Sequence, residues 1–523
     1  MAPRIRHLTI DSIGLFFVVI IFLLIGAKYF FPQMVIAKSQ ELLHQATREL
    51  VYLQTKAEVL SDSDLKTPSP TERKSQSVPV LIYHGLPKSG DDEVTRSLFK
   101  EHLFAMKRAG WNTITLEQFF HFMHGEKDIP EKSFLLTFDD GIRSSLIYGD
   151  PILEALDYTA VMFIITIFSS GEGSSYYLSR KEVEEMLASG RWEIQSHGKE
   201  AHLLIPIDEN GTKGHFLSNR KWLTEEERLE TMEEFRERIR KDFKESRRDV
   251  ESFGVTSLAF AFPFGDFGQH SINIPGAQTE ILREIKPIYP LFNNFFQFWP
   301  SQGFTYNYPI ETNEDFMIRR ISVEPKWSGS ELVYILSIGQ EKPLPHDDTF
   351  LQQEGWVSIW GDQVLEHEGM TISASEDTVG GLSFLDGTRY WTSYKFEGEV
   401  TVEKGTTISL VGRYRDGGTY ISCTYSKETV AIQRMRDGVE ATILRQQTPT
   451  PLFEGQTSLR PYLRIEDQTV TCGANDEPIL SAILSPEDMA TSGGIGLKTW
   501  DPTLDNSSAH FFWIHVEPIG EGG

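Results

Sequence analysis

Between Val78 and Leu336 the chain alternates short apolar runs with amphipathic segments, and that alternation leaves few folds open. The runs VPVLIY, TITL, FLLTF, YTAVMFIIT, WEIQSH and SLAFAFPF are of strand length and largely apolar, as strands buried on both faces are. Between them lie a segment with Phe99, Leu103 and Met106 on one face, the segments EQFFHFM and RKEVEEMLASG, and a long charged stretch from Trp222 to about Arg248. Strand followed by helix, repeated, predicts a parallel sheet or a barrel wrapped by helices. The charged stretch is expected to be one covering helix with Leu229, Met232, Phe235, Ile239 and Phe243 on its inner face. Its Glu residues interleave with Arg and Lys and cancel them, so it does not read as a polyanion site.

Folds of this kind keep their chemistry at the C-terminal ends of strands. Here FLLTF runs into Asp139 and Asp140, WEIQS into His197, and LAFAF into Pro263, Phe264 and Gly265. Two adjacent carboxylates repel unless something positive lies between or beside them; the plain alternative is a turn in which both face water. His197 and His202, each of which could be an ordinary loop or core histidine, would with one carboxylate hold a divalent ion and leave positions open for water and substrate. Zinc is the first choice, and cobalt, nickel or iron would also suit the set. The second carboxylate would then be free to take a proton from an activated water.

Together these residues resemble the polysaccharide deacetylases of the NodB-homology type, carbohydrate esterase family four, over roughly Val78 to Leu336. TFDDG (Thr137 to Gly141) matches the first motif, which implies Asp139 as general base and Asp140 as metal ligand. SHGKEAH corresponds to the second, implying His197 and His202 as the other ligands; the spacing is one residue longer than usual and Gly198 stands where Ser or Thr is common. His215 is the substitute ligand. FAFPFG resembles the third motif, in which Pro263 and Gly265 line the pocket and the backbone N–H of Phe264 would help hold an oxyanion; the Arg often found ahead of the Pro is absent. MIRRISV resembles a later segment whose Arg orients the base, pointing to Arg320 or else Arg319. PVLIYHGL resembles the first strand of the group, with His84 near substrate. The Leu-x-His of the usual general acid has no counterpart, since YILSIG stands in its place, which leaves His84 and His270 as candidates.

The resemblance implies a distorted β/α barrel that hydrolyses N-acetyl groups on N-acetylhexosamine units of a cell-envelope or extracellular polysaccharide. The alternatives are an inactive glycan-binding or envelope-scaffolding protein, and a deacetylase of a non-sugar amide or an O-acetyl ester. A chain of 523 residues should hold two or three folded units. Residues 1–31 read as a cytoplasmic N-terminus and a transmembrane helix, because Ser12 to Phe31 is almost unbroken hydrocarbon preceded by Arg4 and Arg6; a cleaved signal peptide is the competing reading. An anchor would hold the remainder at the inner membrane, facing the periplasm or exterior. Residues 32–77 read as a helical stalk and flexible linker. Ala46, Leu50, Leu53, Ala57 and Leu60 alternate four and three apart, either as the seam of a weak homodimer or as one face of a single helix lying on the membrane or the next domain.

The deacetylase domain is expected over 78–340 and a linker over 341–355. From 356 to 518, β-rich runs separated by Gly, Asp and Asn predict an all-β sandwich. Its GGIGL strand and closing aromatic strand resemble the concanavalin-like jelly rolls of laminin-G-like and carbohydrate-binding modules. Trp356, Trp360, Tyr390, Trp391 and Trp500 are candidates to stack on sugar rings, although most aromatics of such a domain fill its core. Cys423 and Cys472 are the only cysteines, and in an exported chain they could pair. A formal charge of −25, with 75 acidic against 50 basic side chains, argues against nucleic acid as a partner.

Overall fold

The computed structural model describes residues 32–520 except 66–73, 91–92, 172–173, 290–294, 300–305, 310–316, 353–354, 367, 437 and 454–457. The expected membrane anchor lies outside the described residues, and among these no helix is long and apolar enough to cross a membrane.

The chain enters as helix α1 (Pro32–Ser61) and then alternates: β1 (Val80–Tyr83), α2 (Arg96–Arg108), β2 (Asn112–Thr113), α3 (Leu116–Met123), β3 (Ser133–Phe138), α4 (Asp150–Leu156), β4 (Ala160–Ile164), α5 (Arg180–Ala188) and β5 (Trp192–Ser196). Two short hairpins follow, β6–β7 (Leu204–Pro206, Lys213–His215) and β8–β9 (Trp222–Leu223, Arg228–Leu229). After them come α6 (Met232–Glu251), β10 (Phe260–Ala261), α7 (Ala277–Ile285), β11 (Phe295–Trp299), β12 (Met317–Ser322) and α8 (Gly329–Ile338). The strands run parallel in the order β1-β12-β11-β10-β5-β4-β3, with β2 added on β3, and β3 also pairs with β1. That last pairing joins the two ends of the sheet.

Side-chain alternation along these strands produces two cores. Leu81, Tyr83, Leu136, Phe138, Met162 and Ile194 pack beneath the outer helices, whereas Val80, Leu135, Val161, Phe163 and Ala261 face the other way and meet Phe119 and Phe122 of α3. Four helices start with a reciprocal capping box, at Thr115, Ser179, Thr231 and Ser328, which satisfies orphan N–H groups of the first turn. One of these corrects an expectation. The helix anticipated from Trp222 begins only at Met232, because Thr231 and Glu234 cap it there and Trp222 to Leu229 form a hairpin instead.

Helix α1 lies along this domain. Val51 and Val59 pack against its core and Thr55 is fully buried. Arg48 pairs with Glu185 and, at 3.0 Å, with Asp150; Lys100 reaches Glu58 at 2.5 Å. Of the segment read as a flexible tether, Lys74 bridges to Pro130, and the N–H of Ser75 donates to Ile129.

The C-terminal part is two antiparallel sheets face to face. One has the order β15-β16-β27-β18-β23-β24-β25: Asp362–Glu366, Gly369–Ser373, Ser508–Pro518, Tyr394–Lys404, Pro461–Glu466, Thr469–Ala474 and Glu477–Ile483. The other has the order β14-β17-β26-β19-β20-β21-β22: Trp356–Trp360, Gly380–Leu385, Gly494–Trp500, Thr407–Asp416, Thr419–Ser426, Thr429–Arg436 and Val439–Gln447. The expected linker supplies β13 (His346–Asp348), which pairs with β27. Trp356 and Trp391 are core residues, whose indoles donate to Asp348 and to the Lys342 carbonyl.

Cys423 of β20 and Cys472 of β24 are joined, buried, across the two sheets. Closing a loop of 49 residues' separation is worth about 4 kcal/mol in the chain-entropy model. Replacing both cysteines by Ala should lower the melting temperature of the sandwich in calorimetry and leave the transition of the α/β domain in place.

Candidate metal centre and catalytic site

Strand β3 delivers two carboxylates that part company at once. Asp139 is 2% exposed and receives two parallel hydrogen bonds from Arg320 of β12, Nη1 to Oδ1 at 2.7 Å and Nη2 to Oδ2 at 2.8 Å. Burial alone would raise its pKa, but Arg320, His197 and His84 outweigh it and hold the group ionised below the usual carboxylate value. The backbone then turns left-handed at both Asp140 and Gly141, φ 72° at each. Only the second position demands glycine outright, because a Cβ there would come 2.9 Å from Ser169 Oγ.

Asp140 meets the two histidines. Its Oδ1 lies 3.4 Å from His197 Nε2 and 3.3 Å from His202 Nε2, and one ligand atom from each of the three residues falls within 4.8 Å of the others. His197 donates from Nδ1 to the Ala261 carbonyl at 2.9 Å, which leaves the Nε2 lone pair facing the cluster, the orientation that metal-ligating histidines take. Asp140 Oδ1 is buried without a hydrogen-bond partner. Such an orphaned atom calls for a compensating group, and a divalent cation fits the donor set. Burial works to raise the Asp140 pKa, yet His197, His84 and His202 bring it down to about 2. His202 is shifted the other way, downward, by burial and by His197 beside it, the direction that favours the neutral ring that coordination needs.

The loop from His197 to His202 is tied from below. Asp242, on the buried face of α6, accepts from the N–H of Lys199 at 3.2 Å and of Glu200 at 2.6 Å. Its burial pushes its pKa up to about 6 against those two N–H groups. Gly198 adopts φ 82°, and a Cβ there would stand 2.4 Å from that of Ala201. Asp242 is absent from the sequence-derived set, although an acid on the apolar stripe between Ile239 and Phe243 was a readable signal: a buried carboxylate needs donors.

The other expected residues sort clearly. Arg320 is buried against Asp139 whereas Arg319 is exposed. His84 follows β1 and acts on both carboxylates. Pro263 and Gly265 are buried in the turn after β10, and Phe264, φ 60°, lifts its ring 4.4 Å from that of His202. His215 is not part of the cluster; it pairs with buried Asp266 and stacks on Phe264 at 4.4 Å. His270 lies beyond it, 6.3 Å from His215. In the sandwich, Tyr390 bonds the Lys342 carbonyl, but Trp360 and the 38% exposed Trp500 line a cleft of about 820 Å³ on the seven-stranded sheet with Tyr420, Gln433 and Lys498.

Residues 126–276 match the family model described as polysaccharide deacetylase, so the chain carries a domain of that family, as its motifs imply. It is 28% identical over 206 residues to a poly-beta-1,6-N-acetyl-D-glucosamine N-deacetylase of Escherichia coli K12, spanning 36% of this chain and 30% of the relative. It is 26% identical over 175 residues to the protein of the same name from Staphylococcus epidermidis, spanning 33% of this chain and 54% of the relative. The chain thus covers less than two thirds of either. Among solved structures, a de-N-acetylase from Aggregatibacter actinomycetemcomitans aligns with 49% of this chain and 99% of its own at 19% identity and a TM-score of 0.42.

Releasing the ligand loop should weaken metal binding. Asp242→Ala is expected to lower the affinity of the Asp140, His197 and His202 cluster for a divalent ion roughly 10–100-fold in titration calorimetry while α6 stays folded, and Asp242→Asn, which keeps one acceptor oxygen, should fall between.

Proposed function

We propose that this protein hydrolyses the N-acetyl groups of a poly-β-1,6-N-acetylglucosamine-like polysaccharide, with Asp139 as the base. The observation that carries the reading is the division of labour in one pocket: a carboxylate locked by a guanidinium, beside a second carboxylate facing two imidazoles with an unsatisfied oxygen. The names of the curated relatives support the choice of polymer.

Asp140, His197 and His202 would hold a divalent ion, zinc the first choice, which when bound polarises the acetyl carbonyl and lowers the pKa of a water. Asp139 takes the proton from the attacking water. Arg320 keeps that carboxylate pointed and ionised. The Ala261 carbonyl is engaged by His197, and three residues on, the N–H of Phe264 sits in the left-handed turn, from which it donates to the oxyanion. His84, close enough to influence both acids, is the residue that protonates the departing amine; His270, out beyond His215, is the weaker candidate.

The enzyme would work outside the cell on a membrane anchor formed by the apolar run before residue 32. The disulfide of the sandwich suits an oxidising compartment. The sandwich itself would hold the polymer through Trp360 and Trp500. Loss of both rings, Trp360→Ala with Trp500→Ala, should weaken retention on insoluble polymer in a pull-down and leave acetate release from short oligomers unchanged.

A catalytically silent glycan binder is the reading to exclude. Asp139→Asn should lower acetate release from β-1,6-linked N-acetylglucosamine oligomers by roughly 10²–10⁴-fold with zinc content unchanged by atomic emission. Equal turnover in the variant would remove Asp139 from the base role, and a wild-type ectodomain that neither retains a divalent ion nor releases acetate would favour the silent binder. A panel of O-acetyl esters and simple amides separates the remaining enzymatic alternatives.

A further inference from the structure

Helix α1 carries an apolar stripe that the other described residues leave uncovered. Leu43, Leu50, Leu53 and Leu60 are 64, 55, 55 and 75% exposed, and Ala46 and Ala57, which complete the row, are exposed as well. The opposite face of the same helix is the one fastened to the α/β domain, through Arg48, Val51, Thr55, Glu58 and Val59. A helix that is held on one side and apolar on the other has an unmet partner.

The pattern identifies the partner as a second helix. Residues 43, 46, 50, 53, 57 and 60 alternate three and four apart, the repeat that keeps a seam facing another helix. Read from either end the row is Leu, Ala, Leu, Leu, Ala, Leu. Such a palindrome is complementary to its own reverse, as a two-fold interface requires.

We propose that a second copy of this chain docks antiparallel along α1. Leu43 then meets Leu60 of the partner subunit, Ala46 meets Ala57 of the partner subunit, and Leu50 meets Leu53 of the partner subunit. The small Ala layers let the axes approach. Glu49 beside the seam comes next to Lys56 of the partner subunit, twice by symmetry, whereas a parallel pair would set Glu49 against Gln54 and Lys56 against Ser61 and gain no ion pair. Two other occupants fit less well. Residues 66–73, KTPSPTER, have no apolar side chain beyond two prolines with which to cover leucines. A membrane surface favours a helix whose apolar face is flanked by basic residues, and here Glu49 balances Lys56. The inference stands on packing alone and is independent of the proposed activity.

Differently tagged full-length chains carrying Ala46→Cys and Ala57→Cys test it, because the native cysteines are already bonded to each other. On mild oxidation the mixture should give a mixed-tag disulfide dimer and Ala46→Cys alone should give none. Adding Leu50→Glu with Leu53→Glu to each chain should abolish the dimer, with the melting temperature kept, since both leucines are exposed. Cross-linking of Ala46→Cys alone, cross-linking that survives the Glu pair, or a monomer by sedimentation at tens of micromolar protein would each overturn the proposal. So would adsorption to phosphatidylcholine vesicles that the Glu pair removes, in chains that never cross-link.

Discussion

A guanidinium with no exposure to water, holding a carboxylate with almost none, is the constraint around which the α/β domain is arranged. Charges buried to this degree are tolerated only when paired in good geometry, and removing one partner of such a pair costs about 3–5 kcal/mol. Arg320 and Asp139 come from strands that are not neighbours: β12 and β3 each pair with β1. The first strand of the domain thereby sets the distance between Asp139 and Arg320, and joining the sheet's ends through β1 is what brings the two charges together.

The second carboxylate depends on a different kind of support. Asp140 is turned away from its neighbour by two consecutive left-handed residues, and the histidines that face it are fixed from behind, His197 by the Ala261 carbonyl and the His202 loop by Asp242. Helix α6 is therefore more than a cover for the sheet. Arginines of its charged face reach Glu280, Glu284 and Glu230, while its inner face carries one acid that holds the backbone between His197 and His202.

A parallel sheet, six strand runs and the residues at their ends were legible because burial on both faces and chemistry at strand ends leave strong marks in a sequence, whereas FFQFW was not read as a strand. TFDDG and SHGKEAH were found without coordinates, and Arg320 could be named though not separated from Arg319; only burial distinguishes adjacent arginines on an alternating strand. Less could be read where local signals compete. Trp222 to Leu229 is rich in helix-forming residues, yet the capping box at Thr231 starts the helix ten residues later than expected. GGLSFL and EPILSAI escaped notice as strands, since glycine and proline mask the period of two that marks their neighbours. The stalk's seam was visible, but which face would meet the domain depended on Arg48 and Thr55, residues whose partners lie about a hundred positions away or are spread through the core.

One oddity of the loop between His197 and His202, its glycine, has a steric origin. With the main chain at φ 82° the position after His197 has no room for any side chain, because the segment doubles back on Ala201 before His202 is presented. The close approach of Ala201 is what excludes a hydroxyl side chain at this position. A motif search that requires Ser or Thr after the first histidine passes over this loop, where Ala201 occupies the space such a side chain would need.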